Sequence, residues 1–155
     1  MDTTFNSHED AAFCTECGET VLSVDIPKSL LIKANGSQSD TSQGARHQRT
    51  QRKHALRQLG NAKALDWRNR HARRSFDHFD ITYLILYPRT TPRADPDNMF
   101  PTVKHLIDGM TQAGLWADDS SRHMRARTYQ QSNRTTGHKG LWRIEIHITP
   151  IGETS

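Results

Sequence analysis

Between Arg93 and Asp119 the chain reads R-A-D-P-D-N-M-F-P-T-V-K-H-L-I-D-G-M-T-Q-A-G-L-W-A-D-D. Asp95, Asp97, Asp108, Asp118 and Asp119 are set there around a single lysine, Lys104. Like charges this close repel unless a cation or a proton lies between them. Ligands that are all oxygen suit a hard cation, Mg²⁺ or Mn²⁺, rather than Zn²⁺. The chain as a whole is basic, with a net charge of +4, and a basic surface favours a phosphate polymer. A hard cation held against such a polymer is the chemistry of a metal-dependent nuclease.

The spacing assigns expected roles. Pro96 fixes its own φ and pushes Asp95 into an extended conformation. In an extended segment residues two apart point to one side, so Asp95 and Asp97 are expected to face one way. Asp118 and Asp119 are adjacent and face opposite ways on a strand, so one ligand is expected from the pair. Lys104 lies about 9 Å along the following helix from Asn98. Its stem can reach back to neutralise charge on a phosphate in the transition state. Asp108, four residues on, can orient Lys104. Ordinary readings exist for each residue. Asp97 or Asn98 could cap a helix, Lys104–Asp108 could be a surface pair of little energetic value, and Asp118-Asp119 could be a turn. All of these coinciding in a basic protein is the less economical account.

These residues must be positioned by a fold. Thr20–Ile26 alternates as a strand ended by Pro27, and Leu30–Asn35 continues as a short extended piece. Gly36–Gln51 is rich in Ser, Gln, Thr and Gly without an apolar period, which predicts a loop. His54–Trp67 repeats apolar residues at helical spacing, with Gly60 as an interruption. Phe76–Tyr87 is the strongest strand; its second half is apolar on both faces, which places it centrally in a sheet. A second helix should start near Asn98, carry Pro101 in its first turn, and stop at Gly114 with Leu115 making the following hydrophobic contact. Met124–Gln130 and Leu141–Thr149 read as strands joined in a hairpin by the polar turn Ser132–Gly140. On the last strand Ile144, Ile146 and Ile148 face one way, and Arg143, Glu145 and His147 the other. The expected fold is therefore α/β (α+β): a small mixed sheet with two main helices on one face. Residues 1–19 form a polar extension, 20–150 one domain and 151–155 a tail.

Charge is divided unevenly. Residues 1–45 are net −5, residues 46–74 net +9, and residues 75–155 neutral. One central block thus supplies the basic character and is the expected polyanion contact, with salt-dependent affinity. No run of about 18 apolar residues exists, which excludes a membrane-spanning helix. The acidic, polar start of the chain argues against a secretory signal, and a cytoplasmic location is expected. Cys14 and Cys17 have the spacing of half a zinc knuckle, with His8 upstream. Zn²⁺ needs four ligands and no second C-x-x-C follows, so two reduced thiols are the expectation rather than zinc.

D-x-D-N, then a lysine, then D-G four residues later, then A-G and a D-D pair resembles the RusA family of Holliday-junction endonucleases. The form N-M-F-P-T-V-K-H-L-I-D-G looks like the branch common in phages and prophages. The likeness is firm over Arg93–Asp119 and looser over Val21–Asn35 and the last strand. It departs in one place: five residues separate Asn98 from Lys104, more than in the best-known branch, which lengthens the turn before the lysine. The resemblance implies a compact dimeric α/β endonuclease that resolves four-way DNA junctions in recombination and repair with paired symmetric nicks. It implies Mg²⁺, with Mn²⁺ as a substitute, no nucleotide cofactor, and a bacterial or phage-infected host cell. The family's essential carboxylates fall on Asp95, Asp97 and Asp119, and its catalytic lysine on Lys104. Asp118 ranks second to Asp119 as a metal ligand, while Asn98 and Asp108 are orienting residues. DNA phosphates would be followed by Arg46, Arg49, Arg52, Lys53, Arg57, Arg70, Arg73, Arg74 and Arg93, by charge and without base reading. The alternatives are a non-cleaving DNA-binding protein of the same fold and a nuclease for other branched DNA.

Overall fold

The computed structural model describes residues 11–13, 18–34, 42–90 and 94–152. His8, Cys14, Cys17, Arg93 and the segment 35–41 lie outside these residues, and so do the expectations that rest on them. The described elements run in the order β1 (Ala11–Phe13), β2 (Thr20–Pro27), α1 (Gln43–Arg70), β3 (Phe79–Tyr87), α2 (Phe100–Gln112), β4 (Met124–Thr135) and β5 (Leu141–Pro150). Single 3-10 turns, Lys28–Leu30 and Pro96–Met99, follow β2 and precede α2. Four long strands and the short edge strand β1 form one mixed sheet in the order β1-β2-β5-β3-β4. Residues Ala11–Phe13 of the polar extension thus pair with β2.

The hairpin expected between β4 and β5 does not form. Both strands pair with β3, β4 parallel on one side and β5 antiparallel on the other. Strand chemistry explains the arrangement. β4 is dominated by Arg, Thr, Gln and Asn, as suits an edge. β5 carries Ile144, Ile146 and Ile148, and its register sets them between Val24, Leu22 and Thr20 of β2 and Ile85, Tyr83 and Ile81 of β3. A parallel β3–β4 pair needs a crossover, and α2 supplies it. The chain then passes the end of β3 to reach β5, where Thr136 donates to the Tyr87 carbonyl at 2.9 Å. The central position expected for β3 is observed.

One face of the sheet is apolar and covered by both helices. Leu22, Val24, Ile26, Ile81, Ile85 and the three isoleucines of β5 join Leu56, Ala64 and Trp67 of α1 and Val103, Leu106 and Met110 of α2 in one cluster. Each valine, leucine, isoleucine or methionine among them contributes about 1.5–3 kcal/mol by leaving water. The helices cross at two glycines. A Cβ on Gly60 would run into the carbonyl of Leu106, and one on Gly109 into the carbonyl of Arg57. Gly60 interrupts the apolar pattern because a second backbone lies against it. Among the described residues no helix covers the opposite face.

α1 is longer than its apolar pattern. Ser42 caps it by accepting from the Ala45 amide at 3.2 Å, and residues 43–51, expected as loop, are its first turns. Leu56 is the first buried residue. Periodicity detects the part of a helix that packs, not the part that projects. At 28 residues the helix spans about 42 Å. Of the expected extended piece Leu30–Asn35, Leu30 closes a 3-10 turn over Lys28–Leu30 and Leu31 is extended, with φ −67° and ψ 133°, while Asn35 lies outside the described residues. α2 ends as expected: Gly114 has φ of 79°, and the Leu115 amide donates to the Met110 carbonyl at 3.2 Å, a Schellman closure.

Candidate active site

The segment before α2 is tied to the end of β3 and to the chain beyond β2. Tyr87 donates its hydroxyl to the Ala94 carbonyl at 2.5 Å. The buried Asn98 donates its amide to the Asp95 carbonyl and accepts from the Ala34 amide, both at 3.0 Å. Thr102 completes the anchor by accepting from the Ile32 amide and donating to the Ile32 carbonyl. Asp95 is extended, with φ −59° and ψ 140°, but the 3-10 turn begins at Pro96. The alternation argument for Asp95 and Asp97 therefore does not hold, because a strand face ends where the chain starts to coil. Both side chains are exposed. Neither the 3-10 turn nor α2 has a side-chain cap, so the capping reading of Asp97 and Asn98 finds no support.

Along α2 the outer stripe runs Phe100, Lys104, Asp108. Lys104 Nζ stands 3.8 Å from Asp108 Oδ1, and the lysine side chain is half exposed. His105 is turned inward. Its Nδ1 is buried without a hydrogen bond, since Asp108 Oδ2 at 3.8 Å is too far to accept one. Burial, then Arg57 of the neighbouring helix, lower the His105 pKa; Asp108 opposes them, and Lys53 and Lys104 add to the lowering. Two basic residues of α1 and the lysine of α2 thus act on one point of the helix seam.

The far end of α2 returns along the sheet. Asp118 is held in its turn, accepting from the Ser120 amide at 2.8 Å and lying 3.9 Å from His123 Nε2. Its pKa is lowered, first by hydrogen bonds from Ser120 and then by the charge of His123 and Arg122. Asp119 is half-buried, and Arg127 of β4 donates to its carbonyl. Its carboxylate acts on Tyr83, whose hydroxyl pKa is raised mainly by burial and next by Tyr129, with Arg127 opposing and Asp119 adding. Tyr83 packs on Tyr129 with ring centres 4.9 Å apart, and Tyr129 lies 6.3 Å from Phe100. Burial pushes the Tyr129 hydroxyl up to about 12. The turn bearing Asp119 and the start of α2 therefore meet the same stretch of β3 and β4.

Tyr83, Tyr129, Phe100 and Arg127 were not singled out from sequence. The signal was there in part: Arg127 and Tyr129 stand two apart on one strand and share a face. The basic block proves heterogeneous. Arg46, Arg49, Arg52, Lys53 and Arg57 lie between the start and the middle of α1, whereas Arg70 pairs with Asp66 at 2.5 Å. Arg68, passed over as a DNA-facing residue, is a structural clamp that donates to the carbonyls of Ala113, Arg73 and Arg74. It holds the helix exit, where Ala72 and Arg73 adopt φ of 55° and 57°.

Among the described residues no three His, Cys, Asp or Glu side chains converge closely enough to hold a metal ion. The donor types at Asp95, Asp97 and Asp119 fit a hard cation, but these side chains do not form a closed cage as arranged. No described helix is long and apolar enough to cross a membrane. No protein-family model matches the chain, and no curated protein matches it in sequence.

Proposed function

We propose that this chain is a RusA-like, Mg²⁺-dependent endodeoxyribonuclease that resolves four-way DNA junctions as a homodimer. The observation that supports this reading most is the meeting of two acidic segments beside a basic helix. The turn carrying Asp119 and the segment carrying Asp95 and Asp97 both reach the Tyr83–Tyr129 surface of the sheet. Lys53 and Arg57 of α1 and Lys104 of α2 all act by charge on His105 at the helix seam.

Asp95, Asp97 and Asp119 would hold the cation, which supplies water activation and charge neutralisation at the scissile phosphate. Lys104, restrained by Asp108, stabilises charge developing on the phosphate oxygens. The projecting half of α1 follows the DNA backbone by charge alone. Two copies related by a two-fold axis would present two such sites to strands of like polarity, giving symmetric nicks.

Incubation with a four-way junction, a flap and a linear duplex, with and without Mg²⁺, tests the proposal. Metal-dependent paired nicks in the junction are expected. Binding without cutting would favour a DNA-binding protein of this fold, and preferential cutting of the flap would favour a nuclease for other branched DNA.

A further inference from the structure

Between Trp116 and β4 the chain makes a closed turn that carries Asp119. Asp118 accepts from the Ser120 amide at 2.8 Å. The Ser120 carbonyl accepts from the His123 amide at 3.1 Å and from the Met124 amide at 2.9 Å. These bonds close the turn on itself but do not fix where it stands on the sheet. The strand ladder fixes it only in part. Phe79 pairs with Met124 and Asp80 with Ala126, so the register of β3 and β4 slips directly after the turn. Such an irregularity bends the strand and weakens the ladder locally.

His123 supplies a separate hold. Its carbonyl accepts from the Phe79 amide at 2.9 Å, and its ring Nδ1 lies 2.7 Å from the Asp77 carbonyl. A carbonyl oxygen only accepts, so Nδ1 carries the proton and donates. One residue thus grips the chain on both sides of His78, at the entry to β3. The His123 side chain is 15% exposed, so water competes little for the ring bond. The Asp118 carboxylate stands 3.9 Å from Nε2, too far for a hydrogen bond. On the other side of the turn Arg127 of β4 donates to the Asp119 carbonyl. Asp119 therefore sits between two holds, one from β4 and one on the entry to β3.

We propose that His123 is a positioning residue for Asp119: by gripping residues 77 and 79 it fixes the turn that presents the Asp119 carboxylate to the cation. The proposal rests on the nuclease reading and adds a residue that neither the acidic set nor the basic block contains. Three variants of the full chain separate the two ring nitrogens. His123→Asn keeps a donor near the place of Nδ1, His123→Gln keeps one near the place of Nε2, and His123→Ala keeps neither. With the junction and Mg²⁺, His123→Ala should lower kcat about a hundredfold, the effect of a displacement of about 1 Å, and leave KM within about twofold. His123→Asn should recover most of kcat and His123→Gln little of it. Amide exchange reads the hold without cutting: the Phe79 amide should exchange about tenfold faster in His123→Ala and near the parent rate in His123→Asn. A kcat that falls only with the folded fraction in a thermal melt, equal rescue by Asn and Gln, or unchanged Phe79 exchange in His123→Ala would overturn the proposal. Failure of the nuclease reading is read separately, from the parent, as no metal-dependent cutting of junction, flap or duplex. The positioning role is then judged by Mn²⁺ broadening of the Asp119 amide resonance, which His123→Ala should weaken; no broadening in the parent, or equal broadening in the variant, would overturn it.

Discussion

His105 on the helical layer and His147 on the opposite face of the sheet are both largely shielded from water, yet they are driven in opposite directions. Burial lowers the pKa of both. At His105 the arginine and lysine neighbours of the seam add to the effect and the net shift is down. At His147 hydrogen bonds and charge from Glu145 and Glu19 overcome burial and the net shift is up. Glu145 is buried at 8% exposure. Burial raises its pKa, but His147 and Arg134 more than reverse this. The two histidines thus sit in local fields of opposite sign, although net charge alone would describe a uniformly basic molecule. Under the proposed function, the difference favours the helical layer over the opposite face of the sheet as the place for a polyanion.

The largest expected effect tests the acidic rim of the helical side. Under the proposed chemistry Asp97→Asn should lower junction cutting by about two to three orders of magnitude. Its melting temperature should stay near that of the parent, because Asp97 is exposed and supports no cap. Gel assays with a thermal melt check both parts; loss of binding and folding together would make Asp97 structural.

Gly109→Ala comes next and breaks the layer itself. The added methyl meets the Arg57 backbone, which cannot rotate aside, so a loss of about 1–3 kcal/mol or more is expected in denaturant unfolding. A neutral result would mean that the helices separate without penalty.

Replacing Lys53 and Arg57 by alanine should reduce the slope of log affinity against log salt by about one for each DNA phosphate that is no longer neutralised. Arg143→Ala on the opposite face of the sheet should leave the slope unchanged. A similar reduction in both variants would erase the contrast between the faces.

The smallest effect is in the pH dependence of stability. His147 has a raised folded pKa, so its contribution is present below its ordinary value of 6.5 and is lost as pH rises through the folded value. His105 has a depressed folded pKa, so its contribution is present above 6.5 and is lost as pH falls through the folded value. Acidification from about pH 8 to about pH 6 should therefore destabilise His147→Asn more steeply than the parent, and His105→Asn less steeply. Parallel profiles for the two variants would show that the two sites do not differ in field.

Much was legible before any fold was known. The isoleucine alternation of Leu141–Thr149 marked a core strand, because a two-residue period can bury only one face. The apolar second half of Phe76–Tyr87 marked the centre of the sheet, and Gly114 marked the end of α2. Other features were out of reach for identifiable reasons. The pairing of β4 with β3 rather than β5 depends on which long-range edge is free. Gly60 read as a flaw until Leu106 was seen against it. The first turns of α1 carry no apolar residue but Ala45 to announce them, and Ser42 alone signalled their start.

By itself, then, the sequence determined the periodic elements, the concentration of positive charge in residues 46–74, and the order of acidic residues around Lys104, because these are properties of neighbours along the chain. Only the tertiary structure decided which of those residues share an environment. It separated Asp118, committed to its own turn, from Asp119 beside Tyr83, and Arg68, a backbone clamp, from the exposed arginines around it. It also set His123 against the entry to β3. The physical reason is that burial, hydrogen bonding and local field depend on contacts between residues distant in the chain, and no local spacing encodes them.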